Sequence, residues 1–373
     1  MNYPNVRLGE ICSVVSGSTP KSNVAEYWDG DVKWITPAEL SEDSFFIEDS
    51  VRHITELGVQ KTGLKPFPAG TVILSSRAPI GKTAIAGCEM YCNQGFKNLI
   101  CSERIDSHYL YHFLSAKTDY LNSLGRGATF KEISKGIVEN IEIPLPPIQK
   151  QKEISQLFEK TNELIKLQKE QLSTFDELVK SRFIELFVGK EYPTKTVDEV
   201  SLGKGEYGAQ SASAEYDPTR PRYVRITDIN DDGTLNDDVV ASVNPADDEQ
   251  YKLEYGDFMF ARMGATVGKT YAFIEGNQIF AGYLIRYRLN RELINPLYLF
   301  WYTKLDEYWN WVKLNQSGAA QPGINAKKYG SLQIPLPPIE LQNQFAAFVE
   351  QTDKLKFDIE NTQSILTGSF IIR

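Results

Sequence analysis

Residues 143–187 read IPLPPIQKQKEISQLFEKTNELIKLQKEQLSTFDELVKSRFIELF, and the opening letters IPLPPI return unchanged at 334–339. The offset, 334 − 143 = 191 residues, is about half of the 373-residue chain, which marks an internal duplication. Pro144, Pro146 and Pro147 donate no backbone hydrogen bond and hold the chain extended, so they act as a stop before whatever follows. A helix is predicted to follow, with Pro147 where a first-turn proline is tolerated.

From Ile154 onward, positions 154, 158, 161, 165, 168, 172, 175, 179, 182 and 186 alternate four and three residues apart, the spacing of a coiled-coil seam. Most of them are apolar: Ile154, Phe158, Ile165, Leu172, Phe175, Val179 and Leu186. Leu157, Leu164 and Leu178 widen the stripe, and no Gly or Pro interrupts it before Gly189. At ~1.5 Å per residue the helix would be about 60 Å long, a spacer rod rather than a packing element of one small domain. The second copy carries the same seam at Leu341, Phe345, Phe348, Thr352, Leu355, Ile359, Thr362 and Leu366, and Thr352 repeats the polar Thr161. Two rods with matching stripes are expected to bury them against each other, antiparallel because the second begins where the second globular segment ends.

The length allows two domains of about 150 residues plus the rods. A hydrophobic content of 42% with 12% aromatics is globular and excludes a disordered chain. No apolar run approaches the ~18 residues of a membrane span and the amino terminus, MNYPNVRLGE, is no signal peptide, so a cytoplasmic protein without membrane contact is expected. Cys12, Cys88, Cys92 and Cys101 all lie in the first half, which fits reduced thiols better than a disulfide framework shared by two repeats. The net charge of −9 divides unevenly. Residues 51–137 hold 11 Lys or Arg against 6 Asp or Glu, and residues 258–337 hold 9 against 4. The acids cluster early in each repeat, as in Glu39, Glu42, Asp43, Glu48 and Asp49, and in Asp231, Asp232, Asp237, Asp238, Asp247 and Asp248. Two basic regions inside an acidic chain permit local phosphate binding, though solvated surface charge explains them equally well.

Between the rods the chain reads as short strands and tight turns, with strands predicted at 32–36 (VKWIT), 71–75 (TVILS), 83–86 and 98–101, and one helix over 108–121. Residues 190–337 repeat the order. Arg225-Ile226-Thr227-Asp228 answers Trp34-Ile35-Thr36-Pro37, Gly268-Lys269-Thr270 answers Gly81-Lys82-Thr83, Gly282-Tyr283 answers Gly95-Phe96, Tyr298-Leu299-Phe300 answers Tyr109-Leu110-Tyr111, and Gly318-Ala319 answers Gly127-Ala128. The side chains between these landmarks differ widely. One scaffold carried twice with different surfaces is what a reader of two different surfaces needs.

The order of globular segment, PLPP helix, globular segment, PLPP helix, with the phrases LSSRAPIGKTAIA and DVKWITPAEL, resembles the specificity subunit of type I restriction-modification systems over essentially the whole chain. The resemblance implies an α+β fold: two mixed α/β target recognition domains (1–146 and 190–337) joined by two long antiparallel coiled-coil helices (147–189 and 338–373), with an internal pseudo-two-fold repeat. It implies that each domain reads one half of a bipartite double-stranded DNA target, while the helices set the gap and dock two methyltransferase subunits. Restriction and translocase subunits would complete the complex. No cofactor is expected in this chain; S-adenosylmethionine, ATP and Mg would reside on the partners. The second rod ends in GSFIIR where the family pattern has a further turn, which would weaken contact with a partner bound there.

Base readout needs Arg, Lys, Asn or Gln on loops that reach groove edges, and phosphate clamps need Lys, Arg or hydroxyls. The candidates are Lys21, Arg77, Lys82, Lys97, Arg126 and Lys131 in the first domain and Gln210, Arg225, Arg262, Lys269, Arg286 and Gln321 in the second. Helix pairing is assigned to Ile154, Phe158, Ile165, Leu172, Phe175, Val179, Phe345, Phe348, Leu355, Ile359 and Leu366. Apparent catalytic signals fail. Gly264 to Thr270 resembles a phosphate-binding loop, but three residues separate its glycines where GxxxxGKT requires four. Cys88, Cys92, His108 and His112 have near-zinc spacing, yet the repeat places Glu275, Ile279, Leu297 and Trp301 there, which favours burial in an aromatic core. The rival classes are a nucleotide- or S-adenosylmethionine-dependent enzyme and a coiled-coil scaffold with no DNA role. If the rods set the gap, inserting four residues within 165–172 adds about one turn, ~5.4 Å, more than a ~3.4 Å base-pair step. Methylation sequencing is expected to show a longer non-specific gap between two unchanged half-sites; an unchanged gap contradicts the spacer role.

Overall fold

The structure, a computed structural model, describes residues 3–41, 44–127, 131–243, 250–318 and 322–371. The chain divides into two compact units, Met1–Lys166 and Leu167–Arg373, so the boundary falls inside the first long helix, Ile148–Phe187.

In the first unit the central strand Val72–Leu74 is apolar at every position because both of its faces are covered. Val72 and Leu74 join a core with Leu8, Ile11, Leu99, Leu110 and Leu114, whereas Ile73 points to a second core with Ile35, Phe67, Met90 and Phe96. This strand lies in a five-stranded sheet of order Cys12–Val15, Asn98–Cys101, Val72–Leu74, Thr83–Ala86, Phe46–Ile47. A second sheet places Trp28–Ile35 between Arg52–Ile54 and Tyr91–Cys92. The strands expected at 83–86 and 98–101 have those bounds, that at 71–75 encloses Val72–Leu74, and that at 32–36 overlaps the longer Trp28–Ile35 but runs one residue past its end. The helix expected over 108–121 is instead two, Ser107–Ser115 and Thr118–Leu124. Lys117 leaves the helical basin at φ −114°, ψ 19°, and the turn lets Leu121 reach the core that Leu110 and Leu114 already fill. Asn5–Arg7 pairs antiparallel with Glu142–Pro144 and returns the chain to the base of the long helix.

The second unit repeats this plan. Asp257–Ala261 sends Phe258 and Phe260 to one core and Met259 and Ala261 to another. Its sheet runs Glu206–Tyr207, Leu284–Arg288, Asp257–Ala261, Thr270–Ala272, and Thr194–Thr196 closes on Gln333–Pro335. Residues 167–187 of the first long helix pack on the second, Ile339–Ile371. Phe183 and Phe187 meet Phe345 at centroid distances of 5.2 and 5.6 Å, and further along Asp176 pairs with Lys356. Numbers fall on one helix as they rise on the other, so the pair is antiparallel.

The seam positions Ile154, Phe158, Ile165, Leu172 and Phe175 are half-buried, and Val179 is buried. Phe158 stacks on His112 at 5.2 Å, and Glu159 accepts a hydrogen bond from His108 Nδ1 at 2.6 Å. Two expectations change. Leu157, Leu164 and Leu178 do not widen the buried stripe; they are 57%, 51% and 47% exposed. On the second helix Phe345 is buried and Phe348, Ile359 and Leu366 half-buried, but Leu355 is exposed. The less exposed row runs 345, 349, 352, 356, 359, 363, 366, so alternate seam positions sit one residue later than the sequence pattern suggested. Lys356 therefore occupies the seam, its aliphatic stem covered while its ammonium reaches Asp176.

Each long helix is fastened to its domain by one buried glutamine. Gln151 Nε2 donates to Pro146 O at 2.8 Å and Arg104 O at 3.0 Å, and Gln151 Oε1 accepts from the Asp106 amide at 2.8 Å. Gln342, at the 191-residue offset, donates to Pro337 O at 2.8 Å and Leu293 O at 3.2 Å and accepts from the Asn295 amide at 2.9 Å. Asp106 and Asn295 in turn cap the helices that begin at Ser107 and Pro296. Both glutamines are fully buried, so truncation leaves backbone groups without partners. Gln151→Ala and Gln342→Ala are expected to cost about 2 kcal/mol each, lowering Tm by about 4–8 °C. The exposed neighbours Gln156→Ala and Gln344→Ala should leave thermal denaturation within about 1 °C of wild type.

Candidate nucleic-acid interface

Beyond its central strand each domain makes the same turn. Ser75 N donates to Lys82 O at 2.9 Å, and Ala261 N donates to Lys269 O at 2.8 Å. Gly81 and Gly268 take φ of +95° and +93°, a region that side-chain-bearing residues rarely enter, which is why Gly-Lys-Thr recurs here. The lysines of these turns are pins. Lys82 Nζ donates to Leu40 O, and Lys269 Nζ donates to Ile229 O at 3.1 Å and pairs with Asp231 at 2.8 Å. The Lys269 hydrogen bond holds the Asp231 carboxyl below the usual carboxylate range. In both copies the Gly-Lys-Thr segment thus carries a strand-turn role.

A second loop leans on the first. Arg126 and Glu132 exchange backbone hydrogen bonds at 3.0 Å, as do Ser317 and Gly323. Ile133 N then donates to Ser76 O and Ile324 N to Arg262 O, both at 3.0 Å. In the first domain this assembles a cationic group around one carboxylate: Glu132 accepts from Arg77 Nε at 2.9 Å and from Lys97 Nζ at 3.1 Å. Burial pushes the Glu132 carboxyl up, but the hydrogen bonds from Lys97 and Arg77 outweigh it and hold the group low. Lys21, Arg126 and Lys131 are exposed, and Arg77 keeps its guanidinium half-exposed at the edge of the pair.

In the second domain Gln210 is exposed. Arg262 lies 4.8 Å over the Tyr207 ring and donates from Nη1 to Gly282 O at 3.4 Å. Tyr283, beside it in sequence, is 57% exposed.

The structure removes several candidates from the surface. Arg286 is 2% exposed and is held inside the fold by Glu206, by Asp257 at 3.5 Å and by Lys252 O at 2.8 Å. It compensates buried carboxylate there: burial pushes Asp257 up, opposed by the Glu254 amide and by Arg286. Lys97 is likewise buried against Glu132 and Ser76, whereas Arg225 stays partly exposed while it folds onto Asp228 and Val239 O. The Asp228 hydrogen bond raises the Arg225 guanidinium further above its ordinary value. Arg286 and Lys97 serve as counter-ions to carboxylates of the scaffold. Gln321 lies outside the described residues, as do Glu42, Asp43, Asp247, Asp248, Ala128 and Ala319.

The matching of Gly95-Phe96 with Gly282-Tyr283 also slips by one. Ser76 N donates to Gly95 O, whereas its counterpart Arg262 N donates to Tyr283 O. Phe96 therefore answers Leu284, both fully buried, and Gly95 answers the exposed Tyr283. A one-residue slip in a strand exchanges its faces, so this tyrosine could not be assigned from spacing. Tyr207 and Tyr283 were both missed; an aromatic within two residues of a glycine on each side of an arginine-bearing turn is the only trace they leave. The near-zinc residues are used otherwise. Cys92 Sγ accepts from Asn98 Nδ2, burial pushes its thiol up to about 12, and His112 stacks between Phe45 and Phe158. Among the described residues no three His, Cys, Asp or Glu side chains converge as metal ligands, and no helix is long and apolar enough to cross a membrane.

Residues 2–174 and 190–366 each match the family model described as type I restriction modification DNA specificity domain. The chain is 36% identical over 188 residues to the type I restriction enzyme MjaIX specificity subunit of Methanocaldococcus jannaschii, a match covering 50% of this chain and less than half, 44%, of that relative. It is 23% identical over 380 residues to the MjaVIII specificity subunit of the same organism, covering 94% of this chain and 86% of the relative. In fold it is similar to the type I restriction-modification S subunit from M. genitalium, with a TM-score of 0.60, 13% identity and coverage of 98% and 93% of the two chains. With both halves of the chain matched by that model, this protein belongs to the type I restriction modification DNA specificity family.

Proposed function

We propose that this chain is the non-catalytic DNA-recognition subunit of a cytoplasmic type I restriction-modification complex. Each domain reads one half of a bipartite target, and the long helices set the gap and dock two methyltransferase subunits. Adenine methylation, restriction and translocation belong to partner subunits that carry S-adenosylmethionine, ATP and Mg. The observation that supports this best is the pairing of identical fastening with unlike surfaces. The Gln151 and Gln342 clamps repeat bond for bond, while the loops beyond the central strands present Arg77, Arg126 and Lys131 in one copy and Gln210, Arg262 and Tyr283 in the other.

The exposed cations Lys21, Arg126 and Lys131 suit phosphate contacts, which position a protein on a duplex without reading sequence. The exposed Leu157, Leu164 and Leu178 share one side of the first long helix at multiples of seven residues, an apolar face suited to a partner. A sequence-selective gel shift by the reconstituted complex separates this function from a bare scaffold; ATP hydrolysis or S-adenosylmethionine binding by the purified chain alone would favour an enzyme.

Arg126→Ala and Lys131→Ala are each expected to weaken binding equally across DNA sequences and to flatten the slope of log K against log salt by about 0.9. A slope unchanged from wild type removes that residue from the phosphate contacts. Replacing Leu157 and Leu164 together with Glu should abolish co-purification of the methyltransferase while leaving the Tm of the chain within about 2 °C. Co-purification at wild-type yield would place the docking face elsewhere.

A further inference from the structure

We infer that the two domains read bases through one shared pair of backbone positions, held by Thr19 and Gln94 in the first domain and by Gln210 and Gly282 in the second, where Arg262 and Tyr283 join them. The inference rests on the DNA-reading function proposed above and names the groups that do the reading.

The positions are equivalent by their hydrogen bonds. Ser18 N donates to Cys92 O at 3.0 Å, and Ala209 N donates to Phe280 O at 2.9 Å. The residue before each is a glycine with no room for anything larger: a Cβ on Gly17 would lie 1.7 Å from Cys92 O, and one on Gly208 would lie 2.4 Å from Ala281 O. On the other side, Ser76 N to Gly95 O at 2.7 Å repeats as Arg262 N to Tyr283 O at 3.0 Å. This frame pairs Thr19 with Gln210, Gln94 with Gly282, Ser76 with Arg262 and Gly95 with Tyr283. All four positions differ between copies where the backbone does not.

The differences compensate one another. Thr19 Oγ1 donates to Gln94 Oε1 at 2.6 Å, so a small hydroxyl steadies a glutamine amide from the facing loop. In the second domain the glutamine comes from the opposite side, and a Cβ on Gly282 would lie 2.3 Å from Gln210 Nε2, so glycine is what makes room for it. Each site thus carries one exposed glutamine amide, the side chain that matches the N6 and N7 edge of adenine. Only the second adds a guanidinium. Arg262 is kept flat by the Tyr207 ring at 4.8 Å and by Gly282 O, and Tyr207 is itself fixed because its hydroxyl accepts from Ala326 N at 3.1 Å. A planar, preplaced guanidinium suits the O6 and N7 edge of guanine. The first half-site is therefore read through an adenine contact, and the second through an adenine and a guanine contact.

The test is long-read sequencing of modified bases in cells that carry the full chain with its methyltransferase partner. Gln94→Ala should relax one adenine position in one half-site. Gln210→Ala and Arg262→Ala should relax an adenine and a guanine position in the other, each by about 10-fold in discrimination. The isosteric Gln94→Glu and Gln210→Glu keep shape and exchange the amide donor for an acceptor, which should move preference toward cytosine, whose N4 donates. Unchanged motifs in the glutamine variants, or relaxation of the same half-site by Gln94 and Gln210 variants, overturn the assignment. A wild-type chain that yields no bipartite motif would instead overturn the DNA-reading function beneath it.

Discussion

The buried glutamine at the root of each long helix is the contact on which the rest depends. Gln151 and Gln342 each close hydrogen bonds to the proline segment that starts their own helix and to the backbone just before the next domain helix. An amide with two donors and two acceptor lone pairs is one of few side chains that can satisfy three buried backbone groups at once. A helix fixed this way cannot pivot without exposing unpaired carbonyls, so each domain keeps a set direction on its own helix. Tyr109 and Tyr298 add to this from the domain side, their hydroxyls donating to Pro144 O at 2.9 Å and Pro335 O at 2.7 Å.

With the backbone anchored twice in the same manner, the two domains are free to differ elsewhere. They differ even inside the sheet: Asn98, bonded to Cys92 and the Leu74 amide, stands where Arg286 bridges Glu206 and Asp257. The first domain spends its central polar position on an amide and the second on an ion cluster, yet the strand pairings around them match. A scaffold whose core tolerates such exchange can carry unlike loops, which is what recognition of two unrelated half-sites demands.

The sequence showed the architecture plainly and the site only in part. The IPLPPI repeat, the four-three seam and the Gly-Lys-Thr turns are enforced by local geometry and so survive as letters. Helix seams are harder, because a position is apolar or not irrespective of which neighbour covers it. Lys356 sits in the seam on its methylene stem while Leu355 faces out. Basic residues mislead for the same reason: Arg286 and Lys97 balance buried or half-buried carboxylates, a demand that one-dimensional charge counting cannot tell from phosphate binding. Gln94 and Tyr283 are not legible from spacing, because the segment from Gly268 to Tyr283 is one residue longer than the one from Gly81 to Gly95.

The proposed reading is one anchored backbone, used twice, that presents two different sets of side chains to DNA. Its most direct measurement is the methylation motif of a hybrid chain in which residues 5–144 are replaced by 194–335, segments bounded by the same strand pairing at Asn5 with Pro144 and Thr194 with Pro335. The expected result is a bipartite motif whose two halves are alike and match the half-site that Gln210 variants relax. Methylation of the original first half-site in cells that carry the hybrid with its methyltransferase partner would contradict it.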